Sequence, residues 1–250
     1  MFTVAAEAYD RFMGKWSAPL APQLADFAGV TAGQRVLDVG CGPGALIAEL
    51  VRRVGPPSVS AVDPSESFVT AASERHAGVY VRRGSAEQLP FADDEFDASL
   101  GQLVVHFMAD PGKGLQEMAR VTRDGGVVAT CVWDHAGGGG PLSRFWDAAR
   151  ELDPDVDDES LRAGTRRGHL AELLGQAGLS RVEETTLSVS VEYAGFDEWW
   201  EPFTFGVGPA GAYLSELDPD RQAHLRERCR ETFPEDRLLT ARAWAARGNA

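Results

Sequence analysis

The feature that most constrains this chain is a glycine-rich turn that follows an apolar run. Residues 36–44 read Val-Leu-Asp-Val-Gly-Cys-Gly-Pro-Gly, so three glycines stand at alternate positions and Asp38 lies just before them. Glycine takes the positive φ values of a sharp turn, and because it has no Cβ a ligand can approach its backbone closely. Apolar residues then recur at helical spacing over 45–51. The segment predicts the first strand, turn and helix of a Rossmann-like domain.

Two kinds of ligand fit this turn. The order Gly40-x-Gly42-x-x-Ala45 satisfies the relaxed dinucleotide pattern, which would make the chain a nicotinamide-dependent oxidoreductase. However, Gly44 comes one position before the third residue of that pattern, and a carboxylate at Asp38 would repel a pyrophosphate. A ligand that carries a cationic amine and no phosphate is more compatible with Asp38.

The order acid-x-Gly-x-Gly-x-Gly, from Asp38 to Gly44, resembles the first motif of the class I S-adenosylmethionine-dependent methyltransferases. Segments 59–65, 84–91 and 96–107 resemble later elements of the same family, in the same order. The resemblance is to the small-molecule type, which includes ubiquinone and menaquinone biosynthesis C-methyltransferases and bacterial secondary-metabolite methyltransferases. It implies S-adenosyl-L-methionine as cofactor and an O, N or C nucleophile on an apolar or aromatic acceptor. A non-catalytic cofactor-binding protein and a non-methylating reaction are the alternatives.

A second acid ends the next apolar segment. Asp63 closes the run Val-Ser-Ala-Val-Asp at 59–63, about 20 residues after the glycines, where Rossmann folds place an acid that binds ribose. A carboxylate there can accept two hydrogen bonds from vicinal hydroxyls. The alternative is an N-cap of the following helix. We assign the ribose role to Asp63 and the capping role to Ser65.

The resemblance extends the cofactor site beyond these two acids. Tyr9 and Met13 of the leading helix are four residues apart, so both can face one ligand surface. Residues 84–91 resemble the segment that binds the adenine edge, although Ser85 stands where an Asp is common in the family. Its hydroxyl can accept a hydrogen bond without charge assistance. The expected cofactor contacts are Tyr9, Met13, Asp38, Gly40, Cys41, Gly42, Gly44, Asp63, Pro64, Ser85, Ala86, Glu87, Gln102 and Leu103.

Two histidines follow predicted strands at the cofactor end of the sheet. His106 comes after the fourth strand and His135 after the fifth, at 127–133. Each is a candidate base that removes a proton from an acceptor phenol, enol or amine. The alternative for both is a packing role. Because the cofactor's methyl group already has a good leaving group, the protein mainly has to align the nucleophile and exclude water.

Two segments predict a cap over the acceptor. The stretch 195–206 is rich in aromatic residues, which suits an apolar or planar ligand, with a small satellite core as the alternative. Four glycines at 137–140 predict a lid hinge or, alternatively, an ordinary flexible loop. The acidic tract 151–159 predicts a solvated loop. The expected acceptor contacts are Trp133, Trp199, Trp200, Phe203 and Phe205.

The alternation of strands and helices predicts an α/β fold. The resemblance adds that the sheet is doubly wound, seven-stranded and mostly parallel, with an antiparallel last strand and a helical cap or lid. One methyltransferase domain then covers residues 1–250. Its expected parts are N-terminal lid helices at 1–30, a cofactor-binding core at 31–135, substrate-cap segments at 136–178 and 190–236, and the last two strands at 179–189 and 237–246.

Composition limits the classes of partner that we expect this protein to bind. A formal net charge of −14 with no cluster of basic residues argues against nucleic acid, which requires a positive face. The chain shows no apolar run of about 18 residues and no secretory leader pattern, so we expect no membrane association and a cytoplasmic location. The three cysteines lack the spacing of a metal site or disulfide framework. We therefore expect a small-molecule substrate, no metal, and a monomer or homodimer.

Overall fold

Short, mostly apolar strands lie at the centre of the fold, as expected when helices cover both faces of a sheet. The computed structural model describes the backbone of residues 2–250 and the side chains from residue 6 onward. Its strands are β1 (Val36–Val39), β2 (Val59–Asp63), β3 (Tyr80–Arg83), β4 (Phe96–Gln102), β5 (Thr122–Trp133), β6 (Ser180–Glu192) and β7 (Leu238–Asn249).

Within the described residues these strands make one seven-stranded sheet in the order β3-β2-β1-β4-β5-β7-β6. Neighbours from β3 to β5 are parallel, and β7 is antiparallel to both β5 and β6. The predicted Rossmann-like sheet is therefore confirmed. The strand order reverses between β1 and β4, so the carboxyl ends of these two strands flank a crevice, the usual ligand position in such sheets.

Helices cover the sheet, and the helix start that the sequence predicts at Asp110 and Pro111 is present. Asp110 accepts a hydrogen bond from the Lys113 amide at 2.9 Å, and Pro111 is the first residue of the helix that follows. No helix among the described residues is long and apolar enough to cross a lipid bilayer. The helices are α1 (Phe2–Tyr9), α2 (Lys15–Ala28), α3 (Ala45–Val54), α4 (Glu66–Arg75), α5 (Pro111–Val121), α6 (Ser143–Leu152), α7 (His169–Gln176), α8 (Phe196–Trp200), α9 (Gly208–Glu216) and α10 (Pro219–Thr232).

Four shorter helical turns complete the described part of the fold. A π-helical turn, Asp10–Gly14, joins α1 to α2 without a break. The 3-10 turns are Pro56–Ser58, Val105–Phe107 and Glu201–Phe205. Of these, Val105–Phe107 follows β4 directly and places His106 at the edge of the crevice.

Two apolar clusters hold the helices against the sheet. One contains Leu20 of α2 and Ile47 of α3, and the other contains Leu115 and Met118 of α5, all fully buried. Full burial of one such side chain contributes about 1.5–3 kcal/mol. This packing fixes the carboxyl ends of the central strands, where the two acids of the sequence motifs lie.

Strand length is the main departure from the sequence-based boundaries. β6 and β7 pair from Ser180 opposite Asn249 to Glu192 opposite Leu238, so both run past the predicted 179–189 and 237–246. β5 begins at Thr122, before the predicted 127–133, and its register against β4 is irregular there. Hydrogen-bonded pairing lengthens these strands beyond the apolar alternation that the sequence shows.

Candidate active site

The glycine turn joins β1 to α3 in the conformation that its composition predicts. Gly40, Gly42 and Gly44 have φ angles of 72°, 53° and 105°, which residues with a side chain rarely adopt. A Cβ on Gly40 would lie 2.2 Å from Cγ2 of Val104, so the turn packs directly on the segment after β4. One on Gly44 would lie 2.4 Å from Nε2 of His76. The turn thus needs glycine both for its backbone angles and for close packing.

Asp38 is a buried carboxylate to which no described group donates a hydrogen bond. Its side chain is 1% exposed, and both of its oxygens lack a partner. Burial raises the pKa of Asp38 well above its usual range, and the charge of Asp63 adds to the increase. Ser17 Oγ and Gln102 Oε1 are also buried without partners and line the same small pocket. This group of oxygens suits a ligand that carries an ammonium group.

Asp63 lies at the end of β2, beside the glycine turn. Its Oδ2 accepts a hydrogen bond from the Gly42 amide at 2.9 Å, and its Oδ1 accepts one from the Ser65 amide at 2.8 Å. Burial raises the pKa of Asp63, and these two amide donors oppose the increase. The carboxylate thereby ties the turn to the start of α4, and it also lines the large cavity described below.

The predicted capping by the Ser65 side chain is wrong. Ser65 stands at the N-cap position of α4, but its hydroxyl makes no hydrogen bond to a helix amide. The hydroxyl instead lies 2.8 Å from the Ser67 hydroxyl. The physical reason is that the hydroxyl pairs with the Ser67 side chain instead of with the amides of the first helical turn, which an N-cap hydroxyl binds.

A large cavity adjoins the small pocket around Asp38. It encloses about 1170 Å³ of empty space, including the part open to solvent, and its walls are mainly apolar. Cys41 lines the small pocket, and burial raises the pKa of its thiol. The predicted site residues that line the large cavity are Tyr9, Met13, Gly40, Gly42, Asp63, Pro64, Gln102, Leu103, His106, Trp133 and His135.

The N-terminal helical segment forms one wall of this cavity. Tyr9 packs edge-on against Phe68 of α4, with ring centroids 5.3 Å apart. Asp10 pairs with Arg75 at 2.6 Å, and Arg75 also donates a hydrogen bond to the Pro43 carbonyl at 3.3 Å. Arg75 thus links the wall to the glycine turn. The π-helical turn of this wall is a distortion that often occurs at functional sites.

Three buried polar side chains meet on another wall. His106 and His135 are each 8% exposed, their ring centroids are 5.7 Å apart, and Glu159 is 2% exposed. One nitrogen or oxygen atom from each lies within 4.8 Å of the others. Burial lowers the pKa of both imidazoles, to about 4 for His135, and the charge of Arg162 adds to the decrease. Both histidines are therefore neutral near pH 7.

Glu159 is a cavity residue that the sequence analysis missed. It ends the acidic tract that predicts a solvated loop, yet its side chain turns inward and lines the cavity. Its φ of 67° is unusual for a residue with a side chain. Burial raises its pKa, and Arg162 lies 3.6 Å from Oε1. Nothing in a run of acids indicates which one points toward the protein interior.

The aromatic segment contains four of the expected acceptor contacts, and their contact with the acceptor stays a prediction. Trp199, Trp200 and Phe203 are almost fully buried, and Phe203 stacks on Phe145 of α6 with ring centroids 4.6 Å apart. The Phe205 ring instead lies under the Arg11 guanidinium, 4.6 Å away. None of the four lines either cavity of the described structure. Trp199, Trp200 and Phe203 belong to the apolar cluster that also contains Leu20 and Ile47, and Phe205 lies outside that cluster.

The segment expected at the adenine edge is engaged in its own hydrogen bonds. The Ser85 hydroxyl binds the Glu87 carboxylate, whose other oxygen accepts a hydrogen bond from the Ala109 amide at 2.9 Å. Ala86 packs in the apolar cluster under α5. Ser85, Ala86 and Glu87 line neither cavity of the described chain, so their contact with the cofactor stays a prediction.

Hydrogen bonds to Asp134 hold two residues of the glycine run at 137–140, and the lid hinge at this run stays a prediction. The Gly139 amide binds the Asp134 carbonyl and the Gly137 amide binds Asp134 Oδ1, each at 2.9 Å. Arg242 and Trp244 of β7 also donate to the Asp134 carboxylate. A Cβ on Gly137 or Gly139 would lie within 2.7 Å of Asp134 oxygens. These two glycines permit close packing around an acid.

Comparisons with known proteins decide the family. Residues 37–130 match a family model described as a methyltransferase domain. The demethylmenaquinone methyltransferase of Paenarthrobacter aurescens is 30% identical over 183 residues, which are 66% of this chain and 70% of that protein. This chain belongs to the class I S-adenosylmethionine-dependent methyltransferases.

Two further comparisons describe the range of this methyltransferase's relatives. The 2-methyl-6-phytyl-1,4-hydroquinone methyltransferase 2 of Oryza sativa subsp. japonica is 40% identical over 96 residues, 38% of this chain and 28% of that protein's length. The structure of the Haemonchus contortus phosphoethanolamine N-methyltransferase 2, in complex with S-adenosyl-L-methionine, is 17% identical. It superposes with a TM-score of 0.61 over 98% of this chain and 56% of that one, and shows the shared fold.

S-adenosyl-L-methionine is the cofactor of this methyltransferase, and the residues at the glycine turn fit it. The unpartnered carboxylate of Asp38 matches an ammonium group. The bare backbone at Gly42, where a Cβ would project into open space, leaves room for a ligand beside the turn. The nicotinamide alternative is set aside because the family is that of methyltransferases and Asp38 opposes a pyrophosphate.

Proposed function

We propose that this methyltransferase acts on a small aromatic acceptor that carries a hydroxyl group, of the phenol or hydroquinone type, at oxygen or at a ring carbon. The observation that carries the proposal is one cavity in which apolar walls, the glycine turn and two neutral imidazoles meet. Such walls favour a planar apolar molecule, and an imidazole is the group that receives its hydroxyl proton.

Two relatives support this class of acceptor by name. The matches include a demethylmenaquinone methyltransferase and a hydroquinone methyltransferase. Another match is a malonyl-[acyl-carrier protein] O-methyltransferase from Erwinia billingiae, 35% identical over 127 residues. The mainly apolar cavity with Trp133 in its wall favours the aromatic acceptor over the charged malonyl group.

In this proposal the cofactor, when bound, supplies an activated methyl group, and the chain's own residues position the reactants. Asp38 holds the ammonium group, Asp63 the ribose hydroxyls, and the glycine turn the adenosyl moiety. Tyr9 and Met13 close over them and exclude water. The proposed cofactor contacts also include Cys41, Pro64, Gln102 and Leu103, which line the two adjoining pockets.

His106 is the proposed proton acceptor, and His135 supports it from 5.7 Å between ring centroids. A neutral imidazole has a free nitrogen lone pair, so it can accept a hydrogen bond from the acceptor's hydroxyl and orient the nucleophile. Trp133 is the proposed apolar contact beneath the acceptor ring, because it lines the cavity at the end of β5.

The test is a methyl-transfer assay with purified protein, S-adenosyl-L-methionine, a metal chelator and a panel of acceptors. The panel compares hydroquinones and phenols with a malonyl thioester and simple amines. We expect S-adenosylhomocysteine and a product heavier by one methyl group only with the hydroxylated aromatics. His106→Asn should lower kcat roughly 100-fold or more, whereas His224→Asn, at an exposed position on α10, should not.

Other outcomes separate the alternatives. Cofactor binding by calorimetry without methylation of any aromatic acceptor would contradict the proposed acceptor class. An acceptor that is converted without S-adenosylhomocysteine would indicate a non-methylating reaction. Equal kcat values for wild type and His106→Asn would remove His106 from proton transfer and leave the acceptor class standing.

A further inference from the structure

We propose that His106, His135 and Glu159 form a binding site for one divalent transition-metal cation on the wall of the large cavity. The inference concerns cation binding alone, so it holds whether or not the proposed acceptor is correct. The proton-accepting role of His106 belongs to the metal-free protein, which the chelator in the methyl-transfer assay maintains. The three residues come from segments far apart in the chain: the turn after β4, the end of β5, and the loop between α6 and α7.

The distances carry the first step. One ligand atom from each side chain lies within 4.8 Å of the other two. Metal bonds of about 2.0–2.2 Å to nitrogen and oxygen place two ligands of one ion roughly 3–4 Å apart. Small side-chain rotations are therefore enough to bring all three atoms onto a single cation.

The second observation that supports a cation site, independent of the distances, is that buried polar atoms of these side chains have no partner. His106 Nδ1 and Glu159 Oε2 are buried and have no hydrogen-bond partner in the described chain. A buried polar atom without a partner destabilises the folded state. The polar groups beside this carboxylate are Arg162, 3.6 Å from Oε1, and the Trp146 indole, whose N–H also makes no hydrogen bond in the described chain. A cation that accepts lone pairs from these side chains would remove this destabilisation.

The ligand types carry the third step. Two imidazoles and one carboxylate are the protein ligands of catalytic zinc sites and of non-haem iron sites. Magnesium and calcium prefer oxygen ligands, so a borderline ion such as Zn²⁺, Fe²⁺ or Co²⁺ suits this set better. All three residues line the cavity, which leaves further coordination positions open toward water or toward an oxygen of a bound molecule.

The experiment measures cation binding by the full chain after removal of any affinity tag. Protein treated with chelator and then desalted is titrated with Co²⁺, whose visible absorption reports nitrogen and oxygen coordination, and with Zn²⁺ by equilibrium dialysis and metal analysis. We expect one ion per chain, bound in the micromolar range or tighter. His135→Ala and Glu159→Gln should each weaken binding roughly 10-fold or more.

Controls separate this site from scattered surface ligands. His224→Ala and Glu216→Gln change exposed residues of the same types and should bind the cation as wild type does. Circular dichroism and the melting temperature without metal show whether each variant is folded. Failure of wild-type protein to bind one ion per chain would overturn the proposal even if a variant did not fold. Equal affinity in wild type and in folded Glu159→Gln would overturn it as well.

Discussion

Burial of the Asp38 carboxylate is a cost to the fold, which the proposed binding of a cationic ligand would offset. The folded state raises its pKa above the ordinary 3.8, because burial disfavours the charged form. Stability that this group contributes at low pH is therefore lost as the pH rises from about 4 through the folded-state pKa. A carboxylate in this position is understandable where a cationic ligand compensates for its burial.

The cost of burying a charged Asp38 predicts that Asp38→Asn stabilises the protein when no cofactor is bound. Without cofactor, the variant should be more stable than wild type at pH 8, and the difference should shrink toward pH 4, because only wild type loses stability as Asp38 ionises. Urea denaturation at a series of pH values measures this difference. Parallel pH profiles for the two proteins would show that Asp38 is not the source of the dependence.

Asp63 predicts a loss of cofactor affinity. Asp63→Ala should weaken S-adenosylmethionine binding by about 1.5–3 kcal/mol, since charged hydrogen bonds to the proposed ribose hydroxyls are lost. The same change removes the two amide contacts that hold the glycine turn to α4. Titration calorimetry measures the affinity, with the exposed Asp155→Ala as control. Unchanged affinity would limit Asp63 to a structural role.

At the scale of the element, the glycine turn should tolerate little change. Gly40→Ala should destabilise the protein by about 1–3 kcal/mol from backbone strain. The clash with Val104 adds a further cost of about 1–3 kcal/mol. In the double variant with Val104→Ala, the second cost should be recovered and the first should persist, as judged by denaturation against the Val104→Ala single variant. No recovery would place the whole effect in the backbone.

The N-terminal wall predicts a change in dynamics rather than in stability. Arg75 joins Asp10 to the glycine turn through groups that are more than a third exposed, so Arg75→Ala should cost under about 1 kcal/mol. It should, however, speed amide exchange of residues 6–16, because it removes the link to Pro43. Arg52→Ala, which breaks a pair within α3, is the control. Equal amide-exchange rates in the two variants would contradict the role of Arg75 in linking this wall to the glycine turn.

At the scale of the whole molecule, the buried aromatic cluster predicts that a substitution within it lowers stability without changing cofactor affinity. Trp199→Ala should destabilise the protein by about 3–5 kcal/mol, because it empties a packed aromatic cluster. Cofactor affinity, measured at a temperature where the variant is folded, should not change. A raised KM for the acceptor with unchanged stability would instead return Trp199 to the acceptor pocket.

The sequence predicted the turns and helix starts that depend only on residues close together in the chain. The turn at 40–44 needs positive φ angles, and the Asp110-Pro111 pair needs a helix start, so both could be inferred without tertiary information. The outcome at Ser65 could not, because its hydroxyl pairs with the Ser67 hydroxyl instead of capping the helix. The close packing of Gly137 and Gly139 could not be inferred either, since the acid that they contact, Asp134, is bound by a residue of β7.

By itself, the sequence determined the strand and helix order, the acids at the strand ends, and with them a cofactor that carries a positive charge. Those properties depend on periodicity and on local backbone angles. Only the tertiary structure decided that Glu159 points inward to meet His106 and His135, and that the aromatic residues 199–205 pack away from the cavity. The reason is that both results depend on distances between residues far apart in the chain, and no local pattern encodes those distances.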